Sequence, residues 1–107
     1  MKKGKVFVND VFAGYISQDE NGYSLYYVEE YLQGEELLPV SLTLPLTDKV
    51  YKSDVLFPFF DGLIPEGYLL NAAVKLFGID KRNRMDLLLK VCKDVTGNVS
   101  IEDVSDE

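Results

Sequence analysis

Two compact turn signals in the first 28 residues constrain this chain more than any other feature, because each fixes where an extended segment must reverse. Asn9-Asp10 is a two-residue turn between Lys5–Val8 and Val11–Ser17, and Glu20-Asn21-Gly22 supplies the positive-φ residues needed before Tyr23–Val28. All three runs are rich in β-branched and aromatic residues. Together they predict a three-stranded antiparallel meander, and Gly14 inside the second run predicts a bulge or a close neighbour.

Further along, Glu29–Gly34 predicts one short helical turn ending at glycine. Leu38–Leu46 alternates Leu42, Leu44 and Leu46 against Ser41, Thr43 and Pro45, which predicts an extended segment with one buried face. Pro45 has no N–H to give a ladder, so the segment should lie at an edge or leave the sheet there. From Ser53 the pattern becomes helical. Ser53 or Asp54 caps a first helix over Val55–Ile64, with Pro58 in its opening turn. A second helix starts at Pro65 and stops at Gly78, and a third runs over Arg84–Lys93, capped by Asn83. On the third, Met85, Leu88, Leu89 and Cys92 form one stripe, widened by Leu87 and Val91, as expected of a helix covered on two sides. A last strand, Val99–Ile101, leads into an acidic tail, 102–107, expected to fray. The fold class expected is α+β: a small antiparallel sheet, made of the meander plus extra short strands, packed with about three helices.

A length of 107 residues with 47% hydrophobic side chains suits a single domain, 1–107, with a core large enough to need no metal or disulfide. Cys92, the only cysteine, therefore reads as a reduced, packed thiol. No window approaches the roughly 18 apolar residues of a membrane span, and no apolar stretch follows Lys2 and Lys3 as in a signal peptide, so a cytoplasmic location is expected. The formal charge of −7 opposes direct contact with nucleic acid or an anionic membrane, and suits a basic partner or plain solubility equally well.

Catalytic chemistry has little to work with. Histidine is absent, which removes the commonest general base near neutral pH and the commonest nitrogen metal ligand. A single cysteine makes no zinc site, and neither standard glycine-rich phosphate cradle is present. The pairs Asp19-Glu20, Glu29-Glu30, Glu35-Glu36 and Glu102-Asp103 are adjacent residues whose side chains diverge. No catalytic residue, cofactor or metal is assigned, and the chain is expected not to be an enzyme.

The unusual stretch is 56–68, which packs three phenylalanines, two prolines and two glycines into a short space. Phe57, Phe59 and Phe60, taken singly, read as core residues. At about 100° per residue, the second helix places Leu69, Leu70, Ala73, Leu76 and Phe77 on one broad apolar side and Tyr68, Asn71, Ala72 and Lys75 opposite. Tyr68 should project outward at the helix start, where an aromatic ring can anchor a partner.

The phrase Phe-Phe-Asp-Gly-Leu-Ile-Pro-Glu-Gly, residues 59–67, resembles the N-terminal region of HipA-type serine/threonine kinases. Val6-Phe7-Val8-Asn9-Asp10 with Gly14, Leu42-Thr43-Leu44-Pro45-Leu46, Met85-Asp86-Leu87-Leu88 and Asp94-Val95-Thr96-Gly97-Asn98-Val99 are similar to the family's other landmarks, so the resemblance covers residues 5–101. It implies a domain that in the full-length family precedes a kinase core, of which nothing follows Glu107 here. A stand-alone version resembles the HipS component of HipBST toxin–antitoxin systems. The resemblance implies a HipT- or HipA-like kinase as partner, itself acting on aminoacyl-tRNA synthetases, with a HipB-like helix-turn-helix protein as a further member of a ternary complex. The partner-binding surface it implies comprises Phe60, Asp61, Gly62, Pro65, Glu66, Gly67 and Tyr68, with Asn71 and Lys75 beside them. Residues 65–68 would block the kinase's nucleotide cleft. Tyr68 departs from the tryptophan common there, keeping an aromatic anchor of smaller area. Three other readings stay open: a split-off subdomain that completes a kinase without inhibiting it, an orphan ligand-binding or enzymatic domain, and a transcriptional co-regulator acting through the DNA-binding partner.

Overall fold

The computed structural model describes residues 2–35, 38–91 and 98–105. Its N-terminal meander consists of β1 (Lys2–Val8), β2 (Val11–Asp19) and β3 (Gly22–Tyr27), each longer or shifted by one to three residues relative to its sequence pattern. Asn9 and Asp10 both take positive φ, 50° and 67°, the backbone a two-residue turn between right-twisted strands requires. Gly22 closes the second turn at φ 125°. Between Val6 and Phe7 the β1–β2 register passes from Gly14 to Phe12, which leaves Ala13 as the extra residue of a bulge beside Gly14. A Cβ on Gly14 would stand 2.1 Å from the carbonyl oxygen of Tyr26 on β3, so the glycine answers to a close backbone approach as well.

Two further strands complete an antiparallel sheet in the order β4-β3-β2-β1-β5, with β4 at Tyr51–Ser53 and β5 at Val99–Asp103. The tail is less frayed than expected. Glu102 and Asp103 belong to β5, Val104 N donates to Lys3 O at 2.9 Å, and Lys3 N donates to Ser105 Oγ at 3.0 Å. Charge along this edge stays in solvent while Val104 buries, so the acidic composition protects an edge strand instead of unravelling it. Residues 106–107 lie outside the described residues, as do Cys92 and Lys93, the end of the helix expected over Arg84–Lys93, and Asp94–Gly97 of the Asp94–Val99 stretch.

One face of the sheet, carrying Val6, Val8, Ile16, Leu25, Tyr27, Val99 and Ile101, forms a single core with Leu56, Phe57, Phe60, Ile64, Met85, Leu87 and Leu88. Those partners come from α2 (Pro58–Asp61), α4 (Arg84–Val91) and the chain around them. Met85, Leu87 and Leu88 are fully buried, which agrees with a helix covered on two sides. The other face of the sheet carries an aromatic run, Phe7, Phe12, Tyr15 and Tyr26, whose neighbouring rings lie 5.2–5.8 Å apart. Lys3 Nζ sits 4.0 Å over the Tyr15 ring and Lys5 Nζ 5.4 Å over Phe12, so the lysine stems shield this face from water.

Three sequence expectations are corrected. The helix over Val55–Ile64 shrinks to the single turn of α2. Pro58 forces Phe57 into an extended conformation before it, Gly62 follows, and Pro65 bars Ile64 from continuing. Ser53, read as a cap, ends β4 and accepts from Val55 N at 3.2 Å. Residues 38–46 are not a strand: Leu44 N donates to Ser41 O at 3.0 Å and Thr43 N to Ser41 Oγ at 3.2 Å, closing a reverse turn that lifts Leu42 into solvent, 93% exposed. Only Leu44 of the three leucines is buried there.

Tyr27 holds that irregular segment. Its hydroxyl donates to Leu44 O and accepts from Val40 N at 3.0 Å, and burial, the larger influence, pushes its pKa up so that the phenol keeps its proton. Its ring stacks at 6.2 Å on Tyr31, which lies in the short helix α1 (Glu29–Leu32). Tyr27→Phe leaves a buried N–H and C=O without the hydroxyl, an expected loss of about 1–3 kcal/mol read as a lower urea midpoint with an unchanged slope.

Candidate partner-binding surface

α3 (Gly67–Phe77) follows α2 through the loop 62–66, and the two helices with this loop carry every residue singled out by sequence for partner binding. The chain holds the base of this loop firmly. Phe60 has no exposed surface and meets Phe59 and Phe57 edge-on, at 5.3 and 6.4 Å between ring centres. Ile64 is buried beside it in the core, and tight turns link Leu63 N to Phe60 O and Ile64 N to Asp61 O. Phe60 is thus a structural residue of the core and offers nothing to a partner directly. Asp61 accepts from Arg84 Nε at 2.6 Å, tying α2 to α4. Both groups keep solvent access, so this pair contributes about 1 kcal/mol at most.

From that base the chain rises into solvent. Pro65 is half-buried, whereas Gly62, Glu66, Gly67 and Tyr68 are exposed, and Tyr68 reaches 84%. Glu66 is extended at the head of α3, and Gly67 enters it at φ +59°, in the left-handed region that glycine adopts freely. This positive φ, with no heavy atom within 4 Å of where a Cβ would lie, turns the chain sharply at the tip of the loop. Tyr68, Asn71 and Lys75 line one shallow depression of about 530 Å³ with Ala72 and Val74. The helix starts two residues after Pro65 and ends, as its sequence implies, at Gly78 with φ 65°.

Sequence spacing misassigned part of α3. Ala73 is buried and Leu70 and Val74 are half-buried against the core, but Leu69 is 63% exposed, Leu76 77% and Phe77 43%. The apolar arc of this helix is wider than the core beneath it, so Leu69 and Leu76 face water beside Tyr68. Only contact with the rest of the fold reveals that surplus. Past the C-terminus, Arg82 donates to Asp80 at 3.1 Å, and this hydrogen bond, before any other influence, holds the Asp80 carboxyl below its usual pKa. Among the described residues no three His, Cys, Asp or Glu side chains cluster to hold a metal ion, and no helix is long and apolar enough to cross a membrane.

The HipA N-terminal domain family matches residues 4–102, nearly the whole chain. The chain belongs to that family. A solved N-terminal domain of HipA toxin superposes with a TM-score of 0.74 at 28% identity, covering 100% of this chain and 96% of that one. Among curated relatives, an uncharacterised protein of Haemophilus influenzae is 33% identical over 103 residues, 96% of this chain and 93% of its own length. The kinase-named protein Y4mE of Sinorhizobium fredii is 30% identical over 89 residues, 82% of this chain. This HipA-type domain spans only 21% of that relative's length.

Proposed function

We propose that this chain works as a non-catalytic interaction domain that binds a HipT- or HipA-like serine/threonine kinase and restrains it, as an antitoxin-like component. The observation that carries the reading is the Pro65–Tyr68 loop: an exposed aromatic tip on a base fixed by Phe60, Ile64 and the Asp61–Arg84 pair. A rigid scaffold lets a loop enter a cleft without losing much freedom on binding. The relative in which this domain is about a fifth of a kinase-named chain supports a kinase surface as its natural neighbour. Tyr68 inserted at the nucleotide cleft would stop phosphoryl transfer by occupying space, without chemistry of its own. Glu66 and Gly67 would set its angle of entry, and Asn71 and Lys75 would border the contact.

Co-expression tests this reading. Growth arrest caused by a HipA-family kinase lacking its own N-terminal domain should be relieved by the chain. Tyr68→Ala should lose most of that relief, because it removes the side chain that occupies the cleft. Tyr68 is so exposed that the variant should melt within a degree or two of the wild type. Full relief by Tyr68→Ala would remove the tyrosine from the mechanism. The coverage of Y4mE also favours a second reading, in which the domain completes a kinase without inhibiting it. Under that reading the same co-expression leaves growth arrest unchanged or deepens it.

A further inference from the structure

Four apolar side chains of α3, Tyr68, Leu69, Ala72 and Leu76, lie within about 100° of arc on its solvent side, and three of them, Leu69, Ala72 and Leu76, have the i, i+3, i+7 spacing of helices that seat in grooves. Tyr68, Leu69 and Leu76 are 84%, 63% and 77% exposed, a concentration of apolar surface that solitary exposed residues do not produce. The outer face of the sheet, the other broad apolar area, is shielded by Lys3 and Lys5. On α3, Lys90 lies over the Phe77 ring, but among the described residues no lysine lies over the ring of Tyr68. The helix contains no acidic residue, and Lys75 stands beside the arc with no ion-pair partner among the described residues of a chain whose formal charge is −7.

We infer that Leu69, Ala72 and Leu76 form a docking ridge that seats in an apolar groove with an acidic rim on the kinase partner, separate in role from the Tyr68 tip. The inference rests on the reading given under Proposed function and assigns it two parts: the ridge supplies affinity and the loop supplies blockage. A second copy of the chain is the poorer occupant. Two bodies of charge −7 repel, and their Lys75 side chains would meet. An anionic membrane is opposed by the same charge.

The experiment uses the full chain and a purified HipA-family kinase without its N-terminal domain, with binding followed by calorimetry and phosphoryl transfer followed separately. Leu69→Ala with Leu76→Ala should keep the melting temperature and raise Kd by about 100-fold. Lys75→Glu should weaken binding more at low salt than at high salt. Tyr68→Ala should lose proportionately more inhibition than affinity. A wild-type Kd in the leucine double variant overturns the ridge while leaving the proposed function intact. Failure of the wild-type chain to bind the kinase overturns both. A large drop in melting temperature in the double variant, or a wild-type dimer in sedimentation that the double variant abolishes, assigns the leucines to the fold or to self-association and also overturns the inference.

Discussion

Phe60→Ala should destabilise the chain by about 3–5 kcal/mol, the range for truncating a fully buried phenylalanine. A domain of this size has a total stability of about 5–15 kcal/mol, so the variant sits near the edge of folding. The loss has an identifiable source. Phe60 is the largest of the fully buried side chains, and removing its ring leaves Phe57 and Phe59 without the partner that both meet edge-on. Calorimetric melting should fall by more than about 10 °C. Any loss of kinase restraint in this variant should track the unfolded fraction, since Phe60 exposes nothing to a partner. A melting temperature within about 2 °C of wild type would contradict its place in the core.

Gly14→Ala should be nearly as damaging, at about 3 kcal/mol, the upper range for forcing an extra methyl into a packed site. The new Cβ would stand 2.1 Å from Tyr26 O and 3.0 Å from Tyr27 Cα, and both are backbone atoms of β3 that cannot rotate aside. Relief requires β2 and β3 to part at the register pair Gly14–Tyr27, close to the Tyr27 hydroxyl that holds residues 40 and 44. Hydrogen exchange should show protection lost first along β2–β3, with β1–β5 retained longer. Uniform loss across the sheet would point to global unfolding without a local origin.

Legibility in the sequence followed how local each determinant is. The meander was readable because Asn9-Asp10 and Gly22 set backbone angles within two residues of where they stand, and Gly14 marked a bulge by lacking a side chain. In α4, Met85, Leu88 and Leu89 of the predicted stripe and Leu87 beside it were readable as core from periodicity. Residues 38–46 misled because leucine alternation is also compatible with a reverse turn, and the Ser41 side chain decides for the turn. β4 was hidden by its length of three residues and by Ser53, which resembles a helix cap. The helix over 55–64 failed because Phe-rich apolar content outweighed two prolines in the reading, whereas backbone sterics decided the outcome. Within the candidate surface, Tyr68 emerged as outward from spacing alone. Leu69 and Leu76 did not, because exposure on an apolar arc depends on how much of it the remaining fold can cover.

The most direct test of the central claim is titration of the chain into a phosphoryl-transfer assay of a purified HipA-family kinase that lacks this domain. Restraint by cleft blockage predicts that activity falls to background near one chain per kinase, and that the Tyr68→Ala chain leaves most of it. An undiminished rate at saturating chain, with binding verified in the same sample, would contradict the claim.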